Sequence, residues 1–329
     1  MPSRSAHTRM RQAFLVLVLL ILGTVTAPAK ANAQICSATV SAIDFGSPVL
    51  LDGNAVDATG TISVTCTSIP LLSVVKVCPG IPAGSGGTDG SARLMTSPSG
   101  SLRYQLYQDA ARTQPWGSIA NPALGSVPGM VLAGSLAGAG TITRPVYGRL
   151  LGAQTTAPAD QYRSDFLGNA TSFVYGAVLL GASTDCTGFV GTGTLYPTFS
   201  VTATPARSCT IAATDLAFPA VGVLAVPVAA QSRITLTCTA QTLWAVALDA
   251  GRNPDAASTR RMKGPSGGLI AYGLYGNAGL SVRWGSGAQA VSGTGTGSAQ
   301  RITVYGQVPV QRAANPGAYV DTVVATITY

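Results

Sequence analysis

The sequence predicts an all-β protein built from two β-sandwiches, and three observations carry that prediction. A cysteine-bearing stretch with alternating apolar positions occurs twice. Ile62, Val64 and Cys66 alternate in the first copy, and Ile234, Leu236 and Cys238 in the second, with Ser63 and Thr65 or Thr235 and Thr237 between them. That period of two marks a strand with one buried face. Each copy also has an upstream cysteine: Cys36 lies 30 positions before Cys66, and Cys209 lies 29 before Cys238. Finally, the composition is rich in Gly, Thr, Ser, Ala and Val, only 10% of residues are charged, and no segment sustains a capped 3.6-residue apolar stripe.

The N-terminus is expected to be removed. Arg4, Arg9 and Arg11 form a basic region, Ala13–Leu22 is an apolar run too short to span a bilayer, and Ala31-Asn32-Ala33 is a small-x-small cleavage site. Residues 1–33 therefore read as a secretory signal cut before Gln34. The only histidine, His7, leaves with it, and the chain contains no glutamate. Losing Arg4, Arg9, Arg11 and Lys30 lowers the net charge from +8 to about +4, spread over scattered arginines. With no basic run, nucleic acid is not an expected partner.

Laid over one another, the two copies correspond in order. Arg93-Leu94-Met95 is answered by Arg261-Met262, and Tyr104-Gln-Leu-Tyr107 by Tyr272-Gly-Leu-Tyr275. Trp116-Gly117-Ser118 is answered by Trp284-Gly285-Ser286, Val146-Tyr-Gly148 by Val304-Tyr-Gly306, and Gln161-Tyr162 by Ala318-Tyr319. The tyrosines and tryptophans are expected in the cores. The final stretch Tyr319–Tyr329 alternates, with Val323, Ala325, Ile327 and Tyr329 on one face and Val324 as the exception. The first copy continues some 30 residues beyond its equivalent, ending in Phe199–Thr204, which predicts an additional strand that the second copy lacks.

Two insertions belong to the first copy alone. Trp116 to Tyr147 spans 31 positions against 21 from Trp284 to Tyr305, and the surplus carries Leu124, Met130, Val131 and Leu132. The second, Phe173–Val190, carries Leu179, Leu180 and Cys186. Apolar residues among Gly and Pro form either exposed loop tips, which mark interaction sites, or extra strands packed on the core.

Six cysteines in an exported chain favour disulfides. The repeat pairs Cys36 with Cys66 and Cys209 with Cys238, leaving Cys78 for Cys186. Each repeated bridge closes a loop worth ~3.5 kcal/mol in the chain-entropy model. Without a mature histidine or a CxxC pair, zinc has no ligand set and a Ser-His-Asp triad cannot form. Asp44, Asp109, Asp165, Asp215 and Asp321 fall at strand ends and turns, where aspartate serves local hydrogen bonds. No cofactor, metal or catalytic residue is expected, and the chain is not read as an enzyme.

Several of these motifs together resemble the spore coat protein U domain family, present twice. They are Cys36…Asp44-Phe45-Gly46 and Cys209…Asp215-Leu-Ala-Phe218, the Thr-Cys-Thr strand, Tyr-x-Leu-Tyr…Trp-Gly, Val-Tyr-Gly, and Gly317-x-Tyr-x-Asp-Thr-Val323. Members include subunits of archaic (Csu-type) chaperone–usher pili. The resemblance implies immunoglobulin-like sandwiches that lack a final strand, completed first by a periplasmic chaperone and then by the N-terminal extension of the next subunit. On that reading residues 34–204 are an adhesive domain and 205–329 a pilin domain. The pilin groove is edged by Val323, Ala325, Ile327 and Tyr329 and by a strand near Cys209–Phe218, and Tyr329 with its carboxylate resembles the anchor that chaperones hold. Cleavage before Gln34 would leave only Gln34 and Ile35 ahead of Cys36, too few to donate, which implies a tip adhesin. Its expected partners are the chaperone, an outer-membrane usher, an adjacent subunit, and an abiotic or host surface. The protein would pass through the periplasm to the cell surface and support biofilm formation. Leu124, Met130, Val131, Leu132, Leu179 and Leu180, with Ile81 nearby, are the expected surface contacts. Two other classes remain open: a spore-coat or extracellular matrix protein, and a lectin head using Tyr, Trp and Asp in a groove.

Overall fold

The computed structural model describes residues 35–70, 72–135, 138–312 and 315–329, so the expected signal segment lies outside the described residues. The first half holds β1 (Ile35–Val40), β2 (Ile43–Asp44), β3 (Val56–Thr67), β4 (Ser73–Gly80), β5 (Thr88–Asp89), β6 (Ala92–Ser97) and β7 (Gly100–Tyr107). It continues with β8 (Met130–Ala133), β9 (Gly140–Leu150), β10 (Tyr162–Phe166), β11 (Ser172–Leu179), β12 (Gly193–Leu195) and β13 (Phe199–Ala203). The second half holds β14 (Cys209–Ala213), β15 (Val228–Cys238), β16 (Leu243–Leu248), β17 (Arg260–Lys263), β18 (Leu269–Tyr275), β19 (Val291–Thr294), β20 (Gln300–Val308) and β21 (Ala325–Thr328). The only helical elements among the described residues are short 3-10 turns, and no helix is long and apolar enough to cross a membrane.

Each half is a sandwich of two sheets around its own apolar core. The first pairs a sheet ordered β1-β3-β9-β7-β6-β10-β13-β2, with β5 beside β6, against a sheet ordered β12-β11-β4-β8. The second pairs β14-β15-β20-β18-β17 against β19-β16-β21. Strand for strand, β14-β15-β20-β18-β17 repeats β1-β3-β9-β7-β6. The larger sheet of the first half then runs on through β10, β13 and β2, whereas that of the second half stops at β17.

The duplicated motifs occupy equivalent places. Cys36 sits directly opposite Cys66 and Cys209 opposite Cys238, and both pairs are bridged, with Cα atoms 4.0 and 4.1 Å apart. Cys78 is bonded to Cys186. The glycine of each Val-Tyr-Gly is closely approached by core side chains. A Cβ on Gly148 would stand 3.1 Å from both Ile43 and Phe45, and one on Gly306 within 3.0 Å of Leu216 and Phe218. The tryptophans of the two Trp-Gly-Ser motifs are core residues that donate their indole N–H across the sandwich, Trp116 to the Pro79 carbonyl and Trp284 to that of Val246, each at 2.8 Å.

A buried arginine, not evident from the sequence, completes each frame. Arg93 lies opposite Tyr104 and Arg260 opposite Tyr272, so the partner of Arg93 is Arg260, one residue before the stretch matched by sequence. Arg93 donates to the carbonyls of Pro82 and Trp116, each at 2.7 Å, and to Ile81 O and Gln105 Oε1. Arg260 donates to Asp249 O at 2.7 Å and Leu248 O at 2.9 Å. Burial pulls the Arg93 guanidinium down to about 10, still protonated at neutral pH, and pushes the neighbouring Tyr104 phenol up to about 12.

The expected strand Tyr319–Tyr329 proves to be two segments. Val320 bridges to Lys263 in the larger sheet, whereas Ala325–Thr328 pairs with β16 in the smaller one. The chain crosses between sheets over Asp321–Val324, where the Val324 N–H donates to Asp249 Oδ1. Burial nevertheless alternates across the crossing, and Val324, 55% exposed, lies on the outer face between half-buried Val323 and Ala325.

Replacing Arg93 by leucine would strip this donor from the buried Ile81 and Trp116 carbonyls and from the part-buried Pro82 carbonyl, each buried group costing ~1–3 kcal/mol. Arg93→Leu should therefore destabilise the first sandwich by at least ~3 kcal/mol in urea unfolding. Arg260→Leu, which strands two carbonyls, should cost the second sandwich less.

Candidate functional site

Two features distinguish the halves: a groove that is filled in one and open in the other, and an apolar tip present only in the first.

In the first sandwich β13 lies between β10 and β2. It runs antiparallel to β10, with Phe199 opposite Phe166, Val201 opposite Ser164 and Ala203 opposite Tyr162, and parallel to β2. Phe199, Val201 and Ala203 enter the core at alternate positions, and the Phe199 and Phe166 rings stack with centroids 4.2 Å apart. Hydrogen bonds continue to the sheet edge. The Phe45 N–H donates to Thr202 O at 2.9 Å, and the Thr202 hydroxyl to Asp44 Oδ1 at 2.9 Å.

The Val320–Lys263 bridge repeats that of Arg163 with Thr96, which fixes the equivalences Tyr162 with Tyr319, Ser164 with Asp321 and Phe166 with Val323. Phe45 and Phe218 likewise correspond, each edge-on to its tyrosine with centroids 6.4 and 6.2 Å apart. Every member of this set that is buried in the first sandwich is half-buried in the second: Ile43 against Leu216, Phe45 against Phe218, Tyr162 against Tyr319, Ser164 against Asp321, Phe166 against Val323. No described strand takes the place of β13 there. β14 pairs only with β15, and β21 only with β16, so both are edge strands, as β1 is in the first sandwich.

Among the groove residues expected from the sequence, Val323, Ala325 and Ile327 do turn toward the second core, half-buried. Tyr329 is 54% exposed. Asp321 sits at the groove floor. Its Oδ2 accepts from the Tyr272 hydroxyl at 2.7 Å and its Oδ1 from the Arg252 and Thr322 N–H groups. Burial, and next the hydrogen bond donated to that carboxylate, raise the Tyr272 phenol well above its ordinary value.

The apolar tip corrects the expected surface contacts. Leu124, Met130, Leu132 and Ile81 are buried, and Val131 is half-buried. The physical reason is that Met130–Ala133 forms β8, paired with Val74–Val77 of β4, so that Met130 and Leu132 face the core. Leu124 lies beneath Gln105, which donates to its carbonyl at 3.5 Å. Leu179 and Leu180 are instead 80% and 74% exposed, at the end of β11 where Leu179 stands opposite Ser73. Leu72, which sequence reasoning missed, joins them at 88% exposure, with a left-handed φ of 64° that costs a leucine about 1–2 kcal/mol. The loop beyond Leu180 is anchored: Cys186 is bonded to Cys78, and Lys76 donates to Asp185 O while its ammonium lies 4.7 Å from the Phe189 ring centroid.

The registers place this tip. β4 and β11 run from Gly80 and Ser172, beside the Arg93 clamp, out to Ser73 and Leu179, while β13 runs the opposite way and leaves at Ala203 toward residues 204–208. The three leucines thus crown the end of the first sandwich remote from the second.

Among the described residues no three His, Cys, Asp or Glu gather where they could hold a metal ion. A hollow of about 380 Å3, lined by Ser99, Arg103, Gln154 and Thr156 among others, presents no aromatic ring.

A family model described as Spore Coat Protein U domain matches the chain twice, over residues 21–167 and 196–326. No curated protein sequence matches. Among solved structures, the chain is similar to one from the CsuC–CsuE chaperone–tip adhesion subunit pre-assembly complex of the archaic chaperone–usher Csu pili of Acinetobacter baumannii. The identity is 19% and the TM-score 0.51, over 90% of this chain and 100% of that one. It also matches the CupB6 tip adhesin from Pseudomonas aeruginosa at 11% identity and TM-score 0.40, over 89% and 94%. At 19% identity the first likeness concerns the fold.

If β13 is what closes the first core, Phe199→Ala should cost that sandwich ~3–5 kcal/mol. It should speed hydrogen exchange at the β10 amides and leave the unfolding of the second sandwich unchanged.

Proposed function

We propose that this chain, which belongs to the spore coat protein U domain family, is the tip adhesin subunit of an archaic chaperone–usher pilus. Residues 34–204 form the adhesive domain and residues 205–329 the pilin domain. The observation that carries the reading is the position-by-position contrast around β13: one copy holds a strand with Phe199, Val201 and Ala203 in its core, and the other leaves Leu216, Phe218, Tyr319, Asp321 and Val323, the equivalents of the residues β13 covers, half-buried with no described strand beside them. An open sheet edge beside an uncovered core is a template for strand addition, in which main-chain hydrogen bonds supply affinity and alternate side chains fill the gap. A periplasmic chaperone covers this groove before export, and the leading strand of an adjacent subunit replaces it at the outer-membrane usher. Val323, Ala325 and Ile327, with Leu216, Phe218 and Tyr319, receive the donated side chains.

The adhesive end is the crown of Leu72, Leu179 and Leu180. Each leucine gains about 1.5–3 kcal/mol on leaving water, so three on a rigid support give useful affinity for a hydrophobic surface, abiotic or host, without a shaped pocket. Leu179 and Leu180 fall between the two regions matched by the family model, in a segment added to the common fold. Attachment of this kind starts biofilm formation.

Deleting the cognate chaperone should leave the chain degraded or aggregated in the periplasm; accumulation of a folded monomer in that background rules out an open acceptor groove. Replacing Leu72, Leu179 and Leu180 together by asparagine should abolish attachment to polystyrene with an unchanged amount of the chain in fibres. Undiminished attachment clears the crown of that role.

A further inference from the structure

The second family match begins at residue 196, ahead of β13, although β13 completes the first sandwich. In sequence, then, β13 is the leading segment of the second copy, and in space it is given to the first. Residues 204–208 follow it along the end of the first sandwich, where the Thr204 N–H donates to Gly46 O at 2.8 Å and the Ala206 N–H to Pro48 O at 3.0 Å. The second copy then begins at Cys209 with its disulfide end against the first. Pro158 bridges to Ala240, and Gly297 approaches so closely that a Cβ there would stand 2.2 Å from Thr155 O.

The corresponding end of the second sandwich is uncovered. Pro48, three residues after Phe45, is buried, whereas Val221, three after Phe218, is exposed. Pro158, whose carbonyl accepts from the Tyr162 hydroxyl, is buried, whereas Asn315, whose carbonyl accepts from the Tyr319 hydroxyl, is exposed. Around them lie four exposed valines, Val221, Val223, Val226 and Val310, with Val223 at 72%. They sit at the start of β15 and just past the end of β20, the far end from the disulfide. Since β15 has eleven residues, that is roughly 35 Å from the junction between the copies.

We propose that the junction inside this chain is the template for its junction with the next subunit. The valine-lined end of the second sandwich seats on the disulfide end of a further domain of the same family, whose leading strand fills the groove as β13 fills the first. The contact is head-to-tail, the kind that repeats along a fibre. The occupant is identified by the internal copy, in which the same end carries a leading strand, a short linker and the disulfide end of the domain that follows. This inference rests on the acceptor reading of the second sandwich and adds a surface outside the groove.

Among the described residues no cysteine is free, so a single introduced thiol reports on its own position. Val223→Cys and, as an independent copy of the test, Val226→Cys should react with a maleimide in the purified chain–chaperone complex and lose that reactivity in isolated fibres. Leu72→Cys, at the opposite end, should react in both. Equal labelling of Val223→Cys and Val226→Cys in fibres that contain the chain overturns the docking surface and leaves the acceptor groove standing. Absence of the chain from fibres altogether overturns the tip-adhesin reading, and this inference with it.

Discussion

A sandwich made of open sheets has to deal with its edges, because each edge strand presents unpaired N–H and C=O groups and, beside them, the rim of an apolar core. In the first half of this chain the larger sheet runs round from β1 to β2, two strands adjacent in sequence, so β13 closes the circuit. The closing strand covers Ile43, Phe45, Tyr162 and Phe166 and gives the last backbone groups their partners. In the second half the circuit is broken at the same point, and the residues around the break differ little in kind. Leu216, Phe218, Tyr319 and Val323 remain apolar although nothing described covers them. Apolar residues left at an uncovered position are a common mark of an interaction site.

The frame around that gap is duplicated closely. In each copy a buried arginine collects carbonyls from the end of a central strand, a tryptophan ties that strand to the opposite sheet, and a cross-strand disulfide sits at the other end. These groups are polar or covalent, and a charge this deeply buried is tolerated only when several acceptors meet it. They fix the shape of the sandwich without depending on the strand at its edge. The half lacking β13 can therefore keep a defined groove.

Much of this architecture was legible in the residues, and the reasons are specific. The cysteines could be paired because a repeat compares like with like, and Val-Tyr-Gly stood out because it recurs, its first glycine lying under the closely approaching side chains of Ile43 and Phe45. The extra strand of the first copy followed from the residues after Tyr162, where Phe199–Ala203 forms β13. Other features left no such trace. Met130–Ala133 is a four-residue strand between Gly129 and Gly134, and its burial depends on pairing with a β4 that lies far away in sequence. Leu72 belongs to the tip only because β4 and β11 run side by side to their ends. Arg260 was hidden by Arg261 next to it, since only strand register tells which of the two turns inward.

The direction of β13 has a mechanical meaning. It enters at Phe199, beside Phe166, and leaves at Ala203 into residues 204–208, while Leu72, Leu179 and Leu180 lie at the other end of the same sandwich. Tension between the leucine end and the linker therefore acts along the axis of β13. The antiparallel ladder to β10 lies nearly perpendicular to the strand and the parallel one to β2 is slanted, so a pull along the axis loads the bonds of the β10 ladder together and does not peel them off singly. The strand that seals the first core is thereby placed to resist shear, and it yields, if at all, by a single cooperative slip.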